Sequence, residues 1–551
     1  MLVRDDMCHI IHEAVFYAAD RNPDKPALTS AAEPDRIFSY KSLIENIKNM
    51  ADVLAGSGIA KQNRVGLIGE NCPEWAIFYL GILAAGAVAV PLDNNLKNSE
   101  VAALLRLSGV KIIACSHKWL EPVKTLIALN GLDIKAVDMQ EIVRSAICFR
   151  EGAYNPPEIT PADPAVIIFT SGTTGDPKGV VLTHGNIISN VMAARSALQL
   201  HPEDKFLSIL PLHHTFEATC GFLLPLICGL TIVYARSLKS REIKEDINNY
   251  KITVMIAVPL LYEKLYASIA KKISEAGAIK KIYIGAMRNI SKIAWKGKIK
   301  AGRTLFSSLR RKAGLESIRM FVSGGAPLPV RVGEWFNLAG FTFLEGYGMT
   351  ECSPVISVSH PDDIRFGSVG PPLPGLDVRI DSPGPNGIGE IAVRGPNVTP
   401  GYLDNPNATA RLFKDGWLMT GDLGKIEHGH IYITGRAKNV IVSGAGKNIY
   451  PEEIEAELSL SPLIAEAIVT GRTRPGKSGE EVWAIIFPAL EQIESAFGSN
   501  LTPEKIRTLI QSEIKVVNDR IADYKRIVNF EIRTEPFEKT STRKIRRGLY
   551  R

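Results

Sequence analysis

Ile167-Ile168-Phe169-Thr170-Ser171-Gly172-Thr173-Thr174-Gly175-Asp176-Pro177-Lys178-Gly179-Val180 is the stretch whose reading decides the fold. Residues 166–169 are β-branched and aromatic, the composition of a buried strand. The residues that follow crowd hydroxyls and glycines together, which breaks regular structure and leaves backbone N–H groups without partners. Successive amides of this kind form a nest for an anion. The hydroxyls of Thr170, Ser171, Thr173 and Thr174 add donors, and Lys178 adds a full positive charge. Without side chains at Gly172 and Gly175 a ligand can approach the backbone closely. The stretch therefore reads as a strand running into a phosphate-binding loop. A polar surface turn uses the same residue types, but four hydroxyls, three glycines and a lysine between Thr170 and Gly179 argue against it. The P-loop of nucleotide hydrolases needs Gly, four residues, then Gly-Lys-Ser/Thr. That spacing is absent, and Gly179 stands where the magnesium-binding hydroxyl belongs.

A chain of 551 residues exceeds one ordinary core and is expected to divide into at least two domains. A hydrophobic fraction of 45% and a mean hydropathy of +0.04 exclude disordered and fibrous classes. The net charge of +7 suits anionic small molecules or a meeting with an anionic membrane surface. Without basic motifs interleaved with aromatics it gives no nucleic-acid signature. The seven cysteines are scattered and form no Cys-x-x-Cys pair, so neither a disulfide framework nor a zinc site is expected. Arg4, Asp5 and Asp6 at the start lack the basic-then-apolar order of a signal peptide, and a cytoplasmic protein is expected. Two apolar runs, 76–92 and 221–235, fall short of a membrane span and read as core helices feeding strands.

Residues 37–43 read as a strand with a helix start. Beyond Arg64, strands at 65–68, 87–90, 111–114 and 165–169 alternate with helical stretches. The pattern returns after residue 200 with strands at 206–209, 231–233, 254–257 and 317–322, the order of parallel α/β layers. After about residue 370, turns rich in Pro, Gly and Asp separate short strands at 377–380, 389–393 and 430–434, which points to a β-rich subdomain. From Asn439 the pattern is compact α+β, with a helix at 451–459 opening on proline and acids. Between Lys271 and Ala313 lysines and arginines accumulate with Glu275 as the only acid, beside Ile282, Ile284, Ile293, Trp295, Leu305 and Phe306. A solvated helix face is the slightly favoured reading of this basic amphipathic surface; contact with anionic lipid or with CoA phosphates is the other.

The loop from Thr170 to Gly179 closely resembles the signature loop of the adenylate-forming (AMP-binding) superfamily, and further segments in the same order extend the resemblance over nearly the whole chain. Gly346-Tyr347-Gly348-Met349-Thr350-Glu351 is similar to the segment that binds adenine, α-phosphate and magnesium. The residue chemistry agrees. Tyr347 offers a flat face for stacking, and Gly346 and Gly348 admit a nucleotide against backbone. Thr350 can donate to a phosphate, and Glu351 is a hard oxygen ligand for Mg²⁺. By the resemblance, Gly324, Gly325 and Ala326 line the adenine and the acyl channel, and His214 falls beside the acyl carboxylate. Asp422 accepts from the ribose hydroxyls, Arg436 reaches the ribose or phosphates, and Lys438 marks the hinge. The loop with Gly444 and Gly446 belongs to the thioester-forming half-reaction. The segment from Phe537 to Arg547 resembles the C-terminal catalytic lysine segment and assigns that role to Lys544; Arg543 stands where many members have glycine, and Lys539 is the alternative.

The resemblance implies an α/β fold. A large N-terminal domain of parallel α/β layers plus a β-rich subdomain would occupy residues 1–435, followed by a hinge at 436–439 and a small, mobile α+β C-terminal domain at 440–551. It implies ATP-dependent activation of a fatty acid to an acyl-adenylate with release of pyrophosphate, then transfer to CoA. ATP, Mg²⁺ and CoA are the cofactors. Segments 210–217 and 258–264 look most like long-chain fatty acyl-CoA synthetases. A carrier protein in place of CoA, and a medium-chain or aryl acid, stay open. So does a peripheral position at the inner face of the membrane.

Overall fold

The computed structural model describes residues 9–146, 154–171, 177–474, 479–498, 501–539 and 545–550. Gly172, Thr173, Thr174 and Gly175 of the opening loop, and Lys544, lie outside the described residues.

Two large sheets dominate the first 400 residues. One runs, in spatial order, Val355–Val358, Thr342–Gly348, Met320–Ser323, Val254–Ala257, Lys205–Ser208, Thr231–Tyr234, Pro26–Ser30, Ile37–Ser39. Its interior pairings are parallel and its two outermost pairings antiparallel. The other runs Gly401–Tyr402, Pro177–Thr183, Pro164–Ser171, Val88–Leu92, Arg64–Ile68, Ile112–Cys115, Lys135–Asp138. Parallel layers are therefore the frame, as the apolar strand runs with helices between them require. The helix Pro73–Ala84 is buried along its whole length between these layers, and even Glu74 inside it is neutralised by an ion pair with Arg36.

The decisive stretch folds as a hairpin. Pro164–Ser171 pairs antiparallel with Pro177–Thr183, so that Phe169 faces Gly179 and Thr170 faces Lys178. The loop thus returns as a strand, because Val180, Val181 and Leu182 supply a second β-forming run directly after Lys178. Only then does the helix His184–Ala197 begin, capped reciprocally by Thr183 and Asn186.

Residues 377–436 form an antiparallel sheet from Asp377–Asp381, Gly389–Arg394, Trp417–Glu427 and His430–Arg436, with Phe413–Lys414 at one edge. Beyond it the ribbon Ile441–Val442 with Asn448–Ile449 leads to the helix Pro451–Leu458. A three-stranded sheet of Ile464–Arg472, Glu481–Pro488 and Asn529–Ile532 follows, with its own apolar core around Ile454, Val469, Ile486 and Ile510. The segment between these last two strands carries the helix Pro503–Asn518, which packs on Pro451–Leu458.

Candidate active site

Thr170, Gly324 and the stretch 346–351 lie at or just past the carboxyl ends of strands in the two large sheets, where open α/β sheets bind ligands. Strand Thr342–Gly348 runs directly into the turn Thr350–Cys352, and two clusters grow from this stretch.

In the first, Glu351 is 8% exposed, and its Oε1 accepts a 2.7 Å hydrogen bond from the Tyr402 hydroxyl. The Tyr402 ring in turn lies 5.2 Å from Lys178 Nζ, a cation–π contact. Next to Glu351, Thr350 Oγ1 accepts from Thr215 Oγ1 at 3.2 Å, which ties in the segment bearing His214. Lys178, Tyr402, Glu351, Thr350 and Thr215 thus form one continuous wall from four separate parts of the chain. Tyr402 is placed by backbone: Gly401 pairs with Val181, Tyr402 with Val180, and Leu403 N–H donates to Gly179 O at 2.7 Å. Burial, then the Glu351 carboxylate, pushes the Tyr402 hydroxyl well up, so it stays a donor at neutral pH.

The turn carrying Glu351 is held from beneath. Asn190 donates to Val355 O at 2.7 Å and accepts from Val355 N at 3.1 Å. Asn397 donates to Cys352 O at 2.7 Å and to Val355 O at 3.1 Å, while Thr219 Oγ1 donates to Ser353 O at 3.0 Å. Both asparagines are 1% exposed. Asn190 is bonded through both its amide N–H and its oxygen, and Asn397 donates twice, which leaves the turn little freedom.

In the second cluster Asp422, 7% exposed, sits between two donors: Tyr347 Oη at 2.9 Å on Oδ2 and Arg436 Nε at 2.9 Å on Oδ1. Asp422 and Arg436 are cross-strand partners, so the sheet register itself makes the pair. A carboxylate has about four acceptor sites, and one on each oxygen is left for a vicinal diol. Burial first, and then the Asp422 charge, raises the Tyr347 hydroxyl far above its ordinary range.

The remaining candidates take various places. Gly324 ends its strand against Phe216, whose ring would lie 2.8 Å from a Cβ there, while Gly325 and Ala326 are exposed. Gly348 lacks a side chain for a structural reason, since a Cβ would fall 1.9 Å from Pro354 O; a Cβ at Gly346 would make only ordinary contacts, the nearest 3.6 Å away at Ser357 O. His214 is half-buried, its ring 4.2 Å from that of His213, which is buried and 3.4 Å from Asp93. Burial lowers His213 to about 4, partly offset by Asp93, which keeps it neutral at pH 7. Thr170 stands opposite Lys178 at the base of the loop, and the strand ends at Ser171. Lys438 is exposed in the turn Ala437–Asn439 directly after Arg436. Gly444 and Gly446 lie in the exposed turn between Ile441–Val442 and Asn448–Ile449, where Gly446 has φ +71° and Gly444 packs on Gly479. Lys539, the alternative to Lys544, forms an ion pair with Glu466 inside the C-terminal unit.

Glu351 with the Thr350 and Thr215 hydroxyls gives an all-oxygen donor set. That fits Mg²⁺, which takes one or two carboxylates and completes its shell with substrate phosphates and water. Among the described residues no group of three or more His, Cys, Asp or Glu could hold a metal, so the ion fits as a partner of bound phosphates.

Comparison with known proteins identifies the family. Residues 15–403 match the model of the AMP-binding enzyme family, and residues 438–550 match that of the AMP-binding enzyme C-terminal domain. This chain belongs to the AMP-binding enzyme family. A long-chain-fatty-acid–[acyl-carrier-protein] ligase of Arabidopsis thaliana, AEE15, is 27% identical, covering 90% of this chain and 78% of its own. The long-chain-fatty-acid–CoA ligase FadD15 of Mycobacterium tuberculosis is 31% identical over 77% of this chain and 73% of its own. The indoleacetate–CoA ligase of Aromatoleum aromaticum is 30% identical over 84% and 86%. The structure of O-succinylbenzoate CoA synthetase from Bacillus subtilis, in complex with ATP and magnesium ion, superposes with a TM-score of 0.74 at 25% identity, covering 97% of this chain and 98% of that one. The fold is thus that of adenylate-forming enzymes.

Tyr402, Thr215, Asn190 and Asn397 were not singled out in sequence. Asn190 carries a signal nonetheless: in the helix His184–Ala197 it shares the buried face with Ile187, Val191 and Ala194, and a polar residue at that spacing has to be bonded.

Proposed function

We propose that this acid–thiol ligase of the AMP-binding family activates a long-chain fatty acid. A carboxylate oxygen attacks the α-phosphorus of ATP, the bond to the β-phosphate bridging oxygen breaks, and pyrophosphate leaves with the acyl-adenylate behind. The CoA thiol, giving up its proton, then attacks the acyl carbon, and AMP departs.

The observation that carries the first step is the wall from Lys178 through Tyr402 to Glu351. A carboxylate approaching a phosphate is an anion meeting an anion, so positive charge and fixed donors must be in place beforehand. Lys178 supplies charge at the root of the phosphate loop. Mg²⁺ held by Glu351 would neutralise phosphate charge, and the Tyr402 hydroxyl fixes the carboxylate that holds it. Asp422, oriented by Tyr347 and Arg436, takes the ribose. His214 would stand beside the acyl carboxylate. Lys544 would span the carboxylate and the α-phosphate, and rotation about 436–439 would withdraw the domain 440–551 and bring Gly444 and Gly446 to the thioester step. The domain division at 435 and 440, and a cytoplasmic location, are part of the same reading.

Long-chain acids are favoured by the two fatty-acid ligases among the relatives. The AEE15 name favours a second reading, with a carrier protein as acceptor, and the indoleacetate ligase favours an aryl acid. ATP–pyrophosphate exchange across acids of increasing chain length, followed by thioester formation with CoA and with a carrier protein, separates these. Exchange maximal with palmitate-length acids is expected; no exchange with any carboxylic acid would end the reading.

A further inference from the structure

The helix Ala278–Lys296 is attached to the protein by one narrow side. Met287 and Ser291 are buried, Ser291 Oγ donates to Leu338 O at 2.7 Å, Ile284 packs on the neighbouring core, and Trp295 stacks on Phe366 with centroids 5.6 Å apart. The rest of the helix surface is open, and one flank of it is apolar. Ile279 is 86% exposed, Ile282 72%, Tyr283 63%, Ile290 53% and Ile293 70%. At about 100° per residue these positions fall on a single stripe along one flank. Lys281, Arg288 and Lys296 run down the adjoining solvent side in a second stripe, together with Lys292, which pairs with Glu334 at 3.0 Å.

The charge around this helix is one-sided. Between Lys271 and Ala313, thirteen Lys and Arg residues stand against Glu275 alone, an excess larger than the +7 of the entire chain, so the rest of the protein is net negative. A second copy seated on the stripe would bring two such segments together and be repelled. An anionic lipid surface satisfies both stripes at once, taking isoleucines at the boundary of headgroups and acyl chains and cations at the phosphates. Among the described residues no helix is long and apolar enough to cross a membrane, so the contact would be peripheral.

We propose that the helix Ala278–Lys296 docks the protein onto anionic bilayers, its isoleucine stripe entering the lipid and its basic stripe resting on the phosphates. This extends beyond the catalytic reading and does not depend on the acyl chain length. The test uses the full-length protein with vesicles of phosphatidylcholine alone and of phosphatidylcholine containing phosphatidylglycerol, at low and high salt. Binding to the anionic vesicles should be at least about tenfold tighter and weaken with salt. Replacing Ile282→Ser together with Ile293→Ser should reduce it about tenfold or more, with ATP–pyrophosphate exchange and Tm unchanged. Lys281→Gln with Arg288→Gln should lower binding to the anionic vesicles only. As a readout independent of those variants, Ile282→Trp should shift its emission to the blue when anionic vesicles are added. Equal binding of the two vesicle types, serine variants that bind like the wild type, or an unshifted Ile282→Trp emission would each overturn the proposal. So would a dimer, seen by sedimentation velocity, that the serine variants dissolve, since that would assign the stripe to a second copy.

Discussion

Two turns that the family resemblance assigns to chemistry are held in opposite ways. The turn Thr350–Cys352 and the residues just after it are fixed by Asn190, Thr219, Asn397 and Tyr402, from three separate parts of the chain. The turn bearing Gly444 and Gly446 is exposed and closes on itself, with Gly446 N–H donating to Ser443 O at 2.8 Å and Ser443 N–H to Lys447 O at 3.0 Å. The contrast fits the work that the proposed reaction would give each. A wall that stabilises developing charge must be positioned before the reaction, because any sag weakens it. On the proposed reading the Gly444 and Gly446 turn enters only for the thioester step and has to move, and few buried contacts make that inexpensive.

The sharpest way to break this comparison is Lys544→Ala. Adenylate formation should fall about 10³-fold or more, while CoA transfer from supplied acyl-adenylate stays within a few-fold of wild type. Equal loss of both, measured by pyrophosphate exchange and by thioester release, would mean that the two halves do not divide the labour. Next in size is Glu351→Gln, expected to slow exchange about 10²-fold and to raise the magnesium concentration needed for half-maximal rate. Tyr402→Phe removes only the hydroxyl that steadies Glu351 and should cost about tenfold, with the same shift in magnesium dependence. A Tyr402→Phe enzyme with unaltered magnesium dependence would show that the hydroxyl acts on something else.

How far these parts were legible in the sequence depends on the range of the interactions. The parallel strands stood out because β-branched runs record burial locally, and the read spans 65–68 and 254–257 match the observed Arg64–Ile68 and Val254–Ala257 within a residue. The β-rich character after residue 370 was equally plain from turn residues. Glu351, Asp422 and Arg436 were visible through motif resemblance. Tyr402 was not, because its meaning arises only when a two-residue edge strand pairs with the return strand of the hairpin. Nor did composition announce the π-helix Glu217–Leu223, in which a fully buried Glu217 fills the space that Gly221 leaves, a Cβ there falling 2.5 Å from its carboxyl.

Glu217 sharpens the comparison from the rigid side. Burial pushes its carboxyl up to about 8, against a 2.6 Å hydrogen bond from Ser208 Oγ that favours the charged form. The folded protein therefore keeps a proton that the unfolded chain releases near its ordinary value of 4.5. Stability from this group is complete below that value and is lost as pH rises towards 8, by at most roughly 5 kcal/mol. Glu217→Gln, similar in shape and never charged, should flatten the fall in Tm between pH 5 and pH 8. A wild-type Tm that does not fall over that range would show that the carboxyl is not held neutral.

The smallest effect tests the loose side. Glu100 has two partners: its Oε2 accepts the Lys97 N–H at 2.9 Å, capping the helix Asn98–Ser108, and its Oε1 accepts Arg546 Nη2 at 3.1 Å from the C-terminal unit. The Lys97 N–H, and after it Arg546, hold the Glu100 carboxyl below its ordinary value, although burial opposes them. Both side chains of the ion pair are over a third exposed, which limits it to under about 1 kcal/mol. A contact this weak can bias the C-terminal unit without locking it. Arg546→Gln should slow adenylation about two- to threefold, an effect that fades at about 0.5 M salt, and should leave CoA transfer unchanged, because the helix cap through Lys97 survives. Glu100→Gln, which weakens the cap as well, should add a loss of Tm that Arg546→Gln does not show. If instead adenylation and CoA transfer slow together in Arg546→Gln, the pair supports the fold in both positions, and the loosely held half of the molecule is less free than its exposed turn suggests.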